Sequence, residues 1–107
     1  MTDRPMLAHM VYFTLTDPSE GAIQELIASC KEHLSSHPGT VLFAVGRLTA
    51  DLNRPVNDRD FHVALQLVFE SREAHDVYQV SDRHQQFIAK NKESWAQVRV
   101  FDADVTN

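Results

Sequence analysis

Cysteine is nearly absent: Cys30 stands alone among 107 residues, so no disulfide can close within this chain. Neither a CxxC nor an HExxH spacing occurs, which removes the usual sequence signs of a thiol-redox or zinc-protease site. No cofactor and no metal is expected from spacing alone. Basic residues are also scarce: ten Lys and Arg stand against fifteen Asp and Glu, for a net charge of −5. The two signs are interspersed, and no basic stripe exists to follow a phosphate backbone, so no nucleic acid partner is expected. Long apolar runs are missing too. MTDRPMLAHMVYF is too short in apolar residues for a signal peptide or a membrane span, so no membrane partner and a cytoplasmic, reducing location are expected. Repeats, linkers and low-complexity stretches are absent, and the length predicts one domain over residues 1–107.

What is present is an ordinary globular composition, 43% hydrophobic and 23% charged. Residues 7–15 alternate as a strand, with His9, Val11, Phe13 and Leu15 on one face and Met10, Tyr12 and Thr14 on the other. Asp17-Pro18-Ser19-Glu20 predicts a helix start with Asp17 as cap. Ile23, Leu26, Ile27, Cys30 and Leu34 then form one buried stripe, ended by Pro38-Gly39. His33 and His37 fall beside or beyond that stripe and are expected in solvent. Residues 40–50 predict a second strand, with Gly46 a candidate bulge. Residues 51–60 are a polar connection, read as a surface loop, with a flap over a ligand as the other option. In residues 61–70, Phe61, Val63, Leu65, Leu67 and Phe69 face the core. A final strand is predicted over 96–102, with 103–107 a tail.

Between these last strands lies SREAHDVYQVSDRHQQFIAKNKESW, residues 71–95, read as two short helices. Ser71 caps the first, whose apolar stripe is Ala74, Val77 and Tyr78; the second carries His84, Phe87, Ile88, Asn91 and Trp95. On one unbroken helix the six residues from Tyr78 to His84 turn the chain by roughly 600°, so the two side chains would diverge. A break at Val80-Ser81-Asp82, with Asp82 as cap, lets them converge on one pocket. His84 then sits near the positive end of a helix dipole, which favours the neutral imidazole that a general base needs. The same pattern also suits a core Tyr and His with satisfied polar tips.

The order β-α-β-β-α-β is the split βαβ arrangement of a ferredoxin-like α+β fold, an antiparallel four-stranded sheet with helices on one face. The opposite face is too apolar for water: Met10, Tyr12, Leu42, Ala44, Leu48, Ala64 and Val68 need a cover. A second copy packed sheet to sheet provides one, so a homodimer is expected.

His9 at the head of the first strand, LQLVFESREAHDVY, the His six residues after its Tyr, and the closing Phe101-Asp102 together resemble the stress-responsive α/β-barrel (Dabb) family of dimeric α+β barrels, over nearly the whole chain. The family often has His-Pro in the Tyr-to-His turn, where this chain has Ser81-Asp82. The resemblance implies a dimeric barrel and a pocket lined at positions His9, Tyr78 and His84. In one branch those positions serve a cyclase that closes a linear polyketide by aldol condensation, while many members have no assigned activity. Two readings follow. One is a cofactor-independent acid/base enzyme on a small carbonyl compound, with His84, Tyr78 and His9 as catalytic residues. The other is a non-catalytic, stress-responsive or ligand-binding protein. Haem or metal chemistry is a third option; His9, His75 and His84 are its candidate ligands, without a recognisable spacing.

Overall fold

The computed structural model describes residues 4–107; residues 1–3, included above in the single domain, lie outside the described residues. The elements are β1 (Met6–Leu15), α1 (Glu20–Leu34), β2 (Thr40–Arg47), β3 (Val63–Phe69), α2 (Arg72–Gln79), α3 (Asp82–Asn91) and β4 (Trp95–Val105), with a 3-10 turn at Lys92–Ser94. The strands form one antiparallel sheet in the order β2-β3-β1-β4. Each βαβ crossover therefore skips one position, which is the ferredoxin-like interleaving. The helices cover one face.

Period-two alternation decides that face. Val11, Phe13 and Leu15 of β1 and Val63, Leu65, Leu67 and Phe69 of β3 point under the helices and are buried. Ile23, Leu26, Cys30 and Leu34 of α1 meet them from above. Each large apolar side chain buried in this layer stabilises the fold by roughly 1.5–3 kcal/mol. Cys30 has no exposed surface, and burial pushes its thiol up to about 12, so it acts as a small hydrophobe.

Several local expectations shift. Ser19, not Asp17, caps α1: its Oγ accepts from the Ala22 N–H, while Asp17 Oδ1 accepts from the Ser19 N–H one turn earlier. Ser81, not Asp82, caps α3, with its Oγ accepting from the His84 N–H. In both places a hydroxyl next to the acid reaches the first free amides of the helix and takes the cap. The register shift in β2 lies between Thr40 and Leu42; Gly46 pairs in register with Ala64 and would meet nothing with a Cβ. β2 stops at Arg47, short of residue 50, and β4 runs on to Val105, which pairs with Met6, so residues 103–105 are strand rather than tail. Phe61 precedes β3 and turns to the open face, where its ring packs 5.0 Å from Tyr12. Val77 is 61% exposed, and the buried side of α2 is His75 and Tyr78. Trp95 begins β4 instead of ending a helix, and its ring lies 5.1 Å from Phe13.

The expectation that His33 and His37 are solvated is also overturned: both are buried. α1 buries a second side against α3, and His33 lies on it. Its Nδ1–H donates to the Ser29 carbonyl at 3.0 Å, while Asn91 of α3 donates to Ser29 Oγ at 2.8 Å. His37 follows the helix end, and its Nε2–H donates to the His33 carbonyl at 2.8 Å. A polar seam between helices thus satisfies groups that a single apolar stripe leaves out.

The 51–60 connection is tied to the open face of the sheet. Arg99 of β4 binds Asp58 through two hydrogen bonds and also donates to the Asp60 carbonyl, which Thr14 Oγ1 bonds as well. Together with Tyr12, Phe61 and Phe101, the Asp58–Arg99 pair lines an open hollow of about 400 Å³ on that face.

Candidate functional site

The helices crowd over β1, β3 and β2 and leave the inner side of β4 under-covered, with Val98 and Val100 37% and 48% exposed. Register puts Val98, Val100 and Asp102 opposite Phe13, Val11 and His9, on the helix side of the sheet. Between this edge and the α2–α3 corner is a cavity of about 220 Å³. Its walls include His9, Tyr78, His84, Asp102, Phe87 and Trp95. None of its lining residues comes from 51–60, so among the described residues that connection does not cover it. The larger hollow on the open face holds no histidine, and the chemistry-bearing groups gather here instead.

The break between α2 and α3 brings Tyr78 and His84 together, with ring centroids 4.8 Å apart in an edge-on arrangement. Two contacts hold the corner. Ser81 Oγ both donates to the Tyr78 carbonyl and accepts from the His84 N–H. Arg83 reaches across to the end of α1 and donates to the Ser35 and Glu32 carbonyls, a cation on free helix-terminal acceptors. His84 is therefore the third residue of α3, at its positive end. Its Nδ1 is buried and has no hydrogen-bond partner. Burial pulls its pKa below the ordinary 6.5; the nearby His9, His37 and His75 act in the same direction, against a hydrogen bond with the Gln79 backbone.

His9 points into the same cavity from β1 and is 4% exposed. A carboxylate can only accept, so His9 Nδ1–H donates to Asp102 Oδ1, at 2.6 Å. That bond fixes the tautomer and directs the other ring nitrogen away from Asp102. Burial lowers the His9 pKa and outweighs the opposing effect of Asp102. The ring lies 6.0 Å from Tyr78. Burial also raises the pKa of the Tyr78 phenol, so its hydroxyl is a proton donor and not a phenolate.

All three residues singled out from the sequence, His9, Tyr78 and His84, thus border one cavity. Sequence reasoning missed Asp102 and His37 as neighbours of this site and named His75 only as a candidate metal ligand. Asp102 was noted only as part of a closing Phe-Asp, yet it stands across from His9 in the β1–β4 register, which no local pattern encodes. His37 packs edge-on to Tyr78 at 5.0 Å, and His75 lies 5.1 Å from His9. His75, three residues before Tyr78, shares its helix face; the exposed Val77 masked it in the apolar count.

Such an arrangement can hold a small molecule against two neutral imidazoles and one phenolic donor in an apolar pocket. It can accept a proton at His84 and donate a hydrogen bond from Tyr78. No helix among the described residues is long and apolar enough to cross a membrane.

Known proteins with this architecture are similar over nearly their full length. The chain resembles a Dabb family protein with a ferredoxin-like fold from Mesorhizobium loti at 21% identity, covering 97% of this chain and 100% of that one, with a TM-score of 0.79. A dimeric ferredoxin-like protein of unknown function from Thermobifida fusca matches at 14% identity, with coverage of 98% and 95% and a TM-score of 0.77. The hydroxynitrile lyase from Passiflora edulis matches at 19% identity, with coverage of 95% and 94% and a TM-score of 0.75. No curated protein sequence matches the chain. The model of the Stress responsive A/B Barrel Domain family matches residues 7–105, nearly the whole chain, and the chain belongs to that family.

Proposed function

We propose that this protein is a cofactor-independent acid/base enzyme that acts on a small carbonyl compound, by cyclase or aldol-type chemistry, and works as a homodimer. The observation that carries the reading is the buried, unpartnered Nδ1 of His84 beside Tyr78 in a cavity also bordered by His9. A buried polar atom without a partner costs free energy in the folded protein, and such sites are tolerated where a ligand completes them.

In this reading His84 removes a proton from the carbon next to a carbonyl. Its position at the helix terminus and its burial keep it neutral for that task. Tyr78 donates a hydrogen bond to the enolate oxygen as charge develops there. His9, held by Asp102, binds the substrate carbonyl across the pocket. The apolar lining and a volume of about 220 Å³ suit a substrate smaller than those that fill drug-sized sites of roughly 300–1,000 Å³. The similar protein from Passiflora edulis is a hydroxynitrile lyase, which supports a lyase-type reading; fold alone does not transfer a substrate.

The test is a screen of small carbonyl compounds and thioesters, followed by His84→Gln and Tyr78→Phe on whichever compound is turned over. Loss of a proton-transfer group predicts a fall of about 10²–10⁴-fold for His84→Gln. Loss of an oxyanion donor predicts about 10²-fold for Tyr78→Phe, with ligand binding retained. Wild-type rates in both variants would remove these residues from catalysis. Compounds that bind to wild type but never turn over would favour the ligand-binding reading instead.

A further inference from the structure

His75 plays no part in the proton-transfer reading, yet like His84 it has a buried ring nitrogen without a hydrogen-bond partner. It is only 9% exposed and lies on the inner face of α2. Its Nδ1–H donates to Asp76 Oδ1 at 3.0 Å, so the proton is committed there. Its other ring nitrogen, Nε2, is buried and has no hydrogen-bond partner. His9 lies 5.1 Å away, centroid to centroid, with Asp102 bonded to it. One donor atom from each of His9, His75 and Asp102 lies within 4.8 Å of the other two.

We propose that His9, His75 and Asp102 form a binding site for a first-row divalent cation of the zinc type. Two imidazoles and one carboxylate, with no thiolate, match the donors that such ions take. Metal-bound histidines commonly donate their second ring proton to a carboxylate, as His75 does to Asp76. An ion about 2.0–2.1 Å from each donor would displace the proton that His9 shares with Asp102 and set the three atoms roughly 3.3 Å from one another, opening the 2.6 Å His9–Asp102 pair and closing any wider separation. Asp102 can supply much of this movement, because its side chain is 47% exposed on an edge strand. Three protein ligands leave a further position for water or for a molecule in the cavity, which His9 and Asp102 also line. The site shares His9 and Asp102 with the proton-transfer reading but uses neither His84 nor Tyr78, so its failure leaves the roles of those two untouched.

Calorimetric titration of the untagged full chain with Zn²⁺ tests the site, with Co²⁺ and its visible ligand-field spectrum as a second probe. One ion per chain is expected in the wild type. Affinity should fall by about tenfold or more in both His75→Gln and Asp102→Asn. The exposed Glu93→Gln serves as the control and should bind as the wild type does. His75→Gln alters a packed position, and Asp102→Asn asks the same question at a half-exposed one. Equal affinity in all four proteins, or no uptake by the wild type, would overturn the proposal.

Discussion

His84 combines two features at odds in a purely structural residue: its ring packs against Tyr78, and its Nδ1 bonds nothing. A histidine kept for stability would be expected to satisfy a buried partner. His84→Gln should therefore cost little, less than about 1 kcal/mol in urea unfolding at fixed protomer concentration. Its effect on pH dependence should be larger. The folded pKa values of His9 and His84 lie below 6.5, so the unfolded chain binds more protons as pH falls through 6.5. Stability accordingly drops on acidification below that value and is fully present above it. The groups facing His84 are His9 from β1, His37 from the α1–β2 connection, and His75 and Tyr78 from α2. Removing His84 should flatten the acid slope without abolishing it, because His9 keeps its share. An unchanged slope would show that His84 is not the buried neutral group described above.

At the scale of elements, the corner between α2 and α3 does the positioning, and Gly39 makes room for α2 itself. Gly39 has φ of +82°, a left-handed conformation, and a Cβ there would lie 2.5 Å from the Ala74 Cβ on α2. Its carbonyl accepts from the Glu70 N–H at 2.8 Å, so the backbone cannot simply move away. Gly39→Ala should destabilise by roughly 2 kcal/mol or more, from backbone strain and overpacking together. Denaturant unfolding checks this; a loss under half a kcal/mol would mean that α2 shifts freely, and with it Tyr78. This scale is also where local sequence signals misplace detail. Asp17 and Asp82 look like caps, but Ser19 and Ser81 are better placed to reach the free amides. In an eight-residue helix, three apolar residues cannot decide a face, and packing turned His75 inward and Val77 outward.

For the whole molecule, one sheet face remains apolar and uncovered among the described residues. Leu42 is 46% exposed and Phe101 54% exposed, beside Tyr12, Ala64 and Val68. The proposed cover is a second copy, and a stable interface of this kind buries roughly 1,200–2,000 Å² in all. Val68→Lys places a charge on the central strand β3 of that face. The wild type should sediment as a dimer and the variant as a folded monomer, by analytical ultracentrifugation with circular dichroism as the folding check. A wild type that stays monomeric at micromolar concentration would remove the dimer.

Alternation in β1 and β3, the stripe of α1 and the order of elements are periodic properties of neighbouring residues. The sequence alone therefore determined the ferredoxin-like fold, the core face and the existence of a break between Tyr78 and His84. Pairings across long sequence separations are another matter. His9 meets Asp102 across 93 positions through the β1–β4 register, and Asn91 meets Ser29 across 62 through helix packing. Only the tertiary structure decided these, along with the burial of His33, His37 and His75. Each depends on which surfaces come together after the elements form, and that is set by shape and by hydrogen-bond satisfaction in the packed interior, which local pattern does not carry.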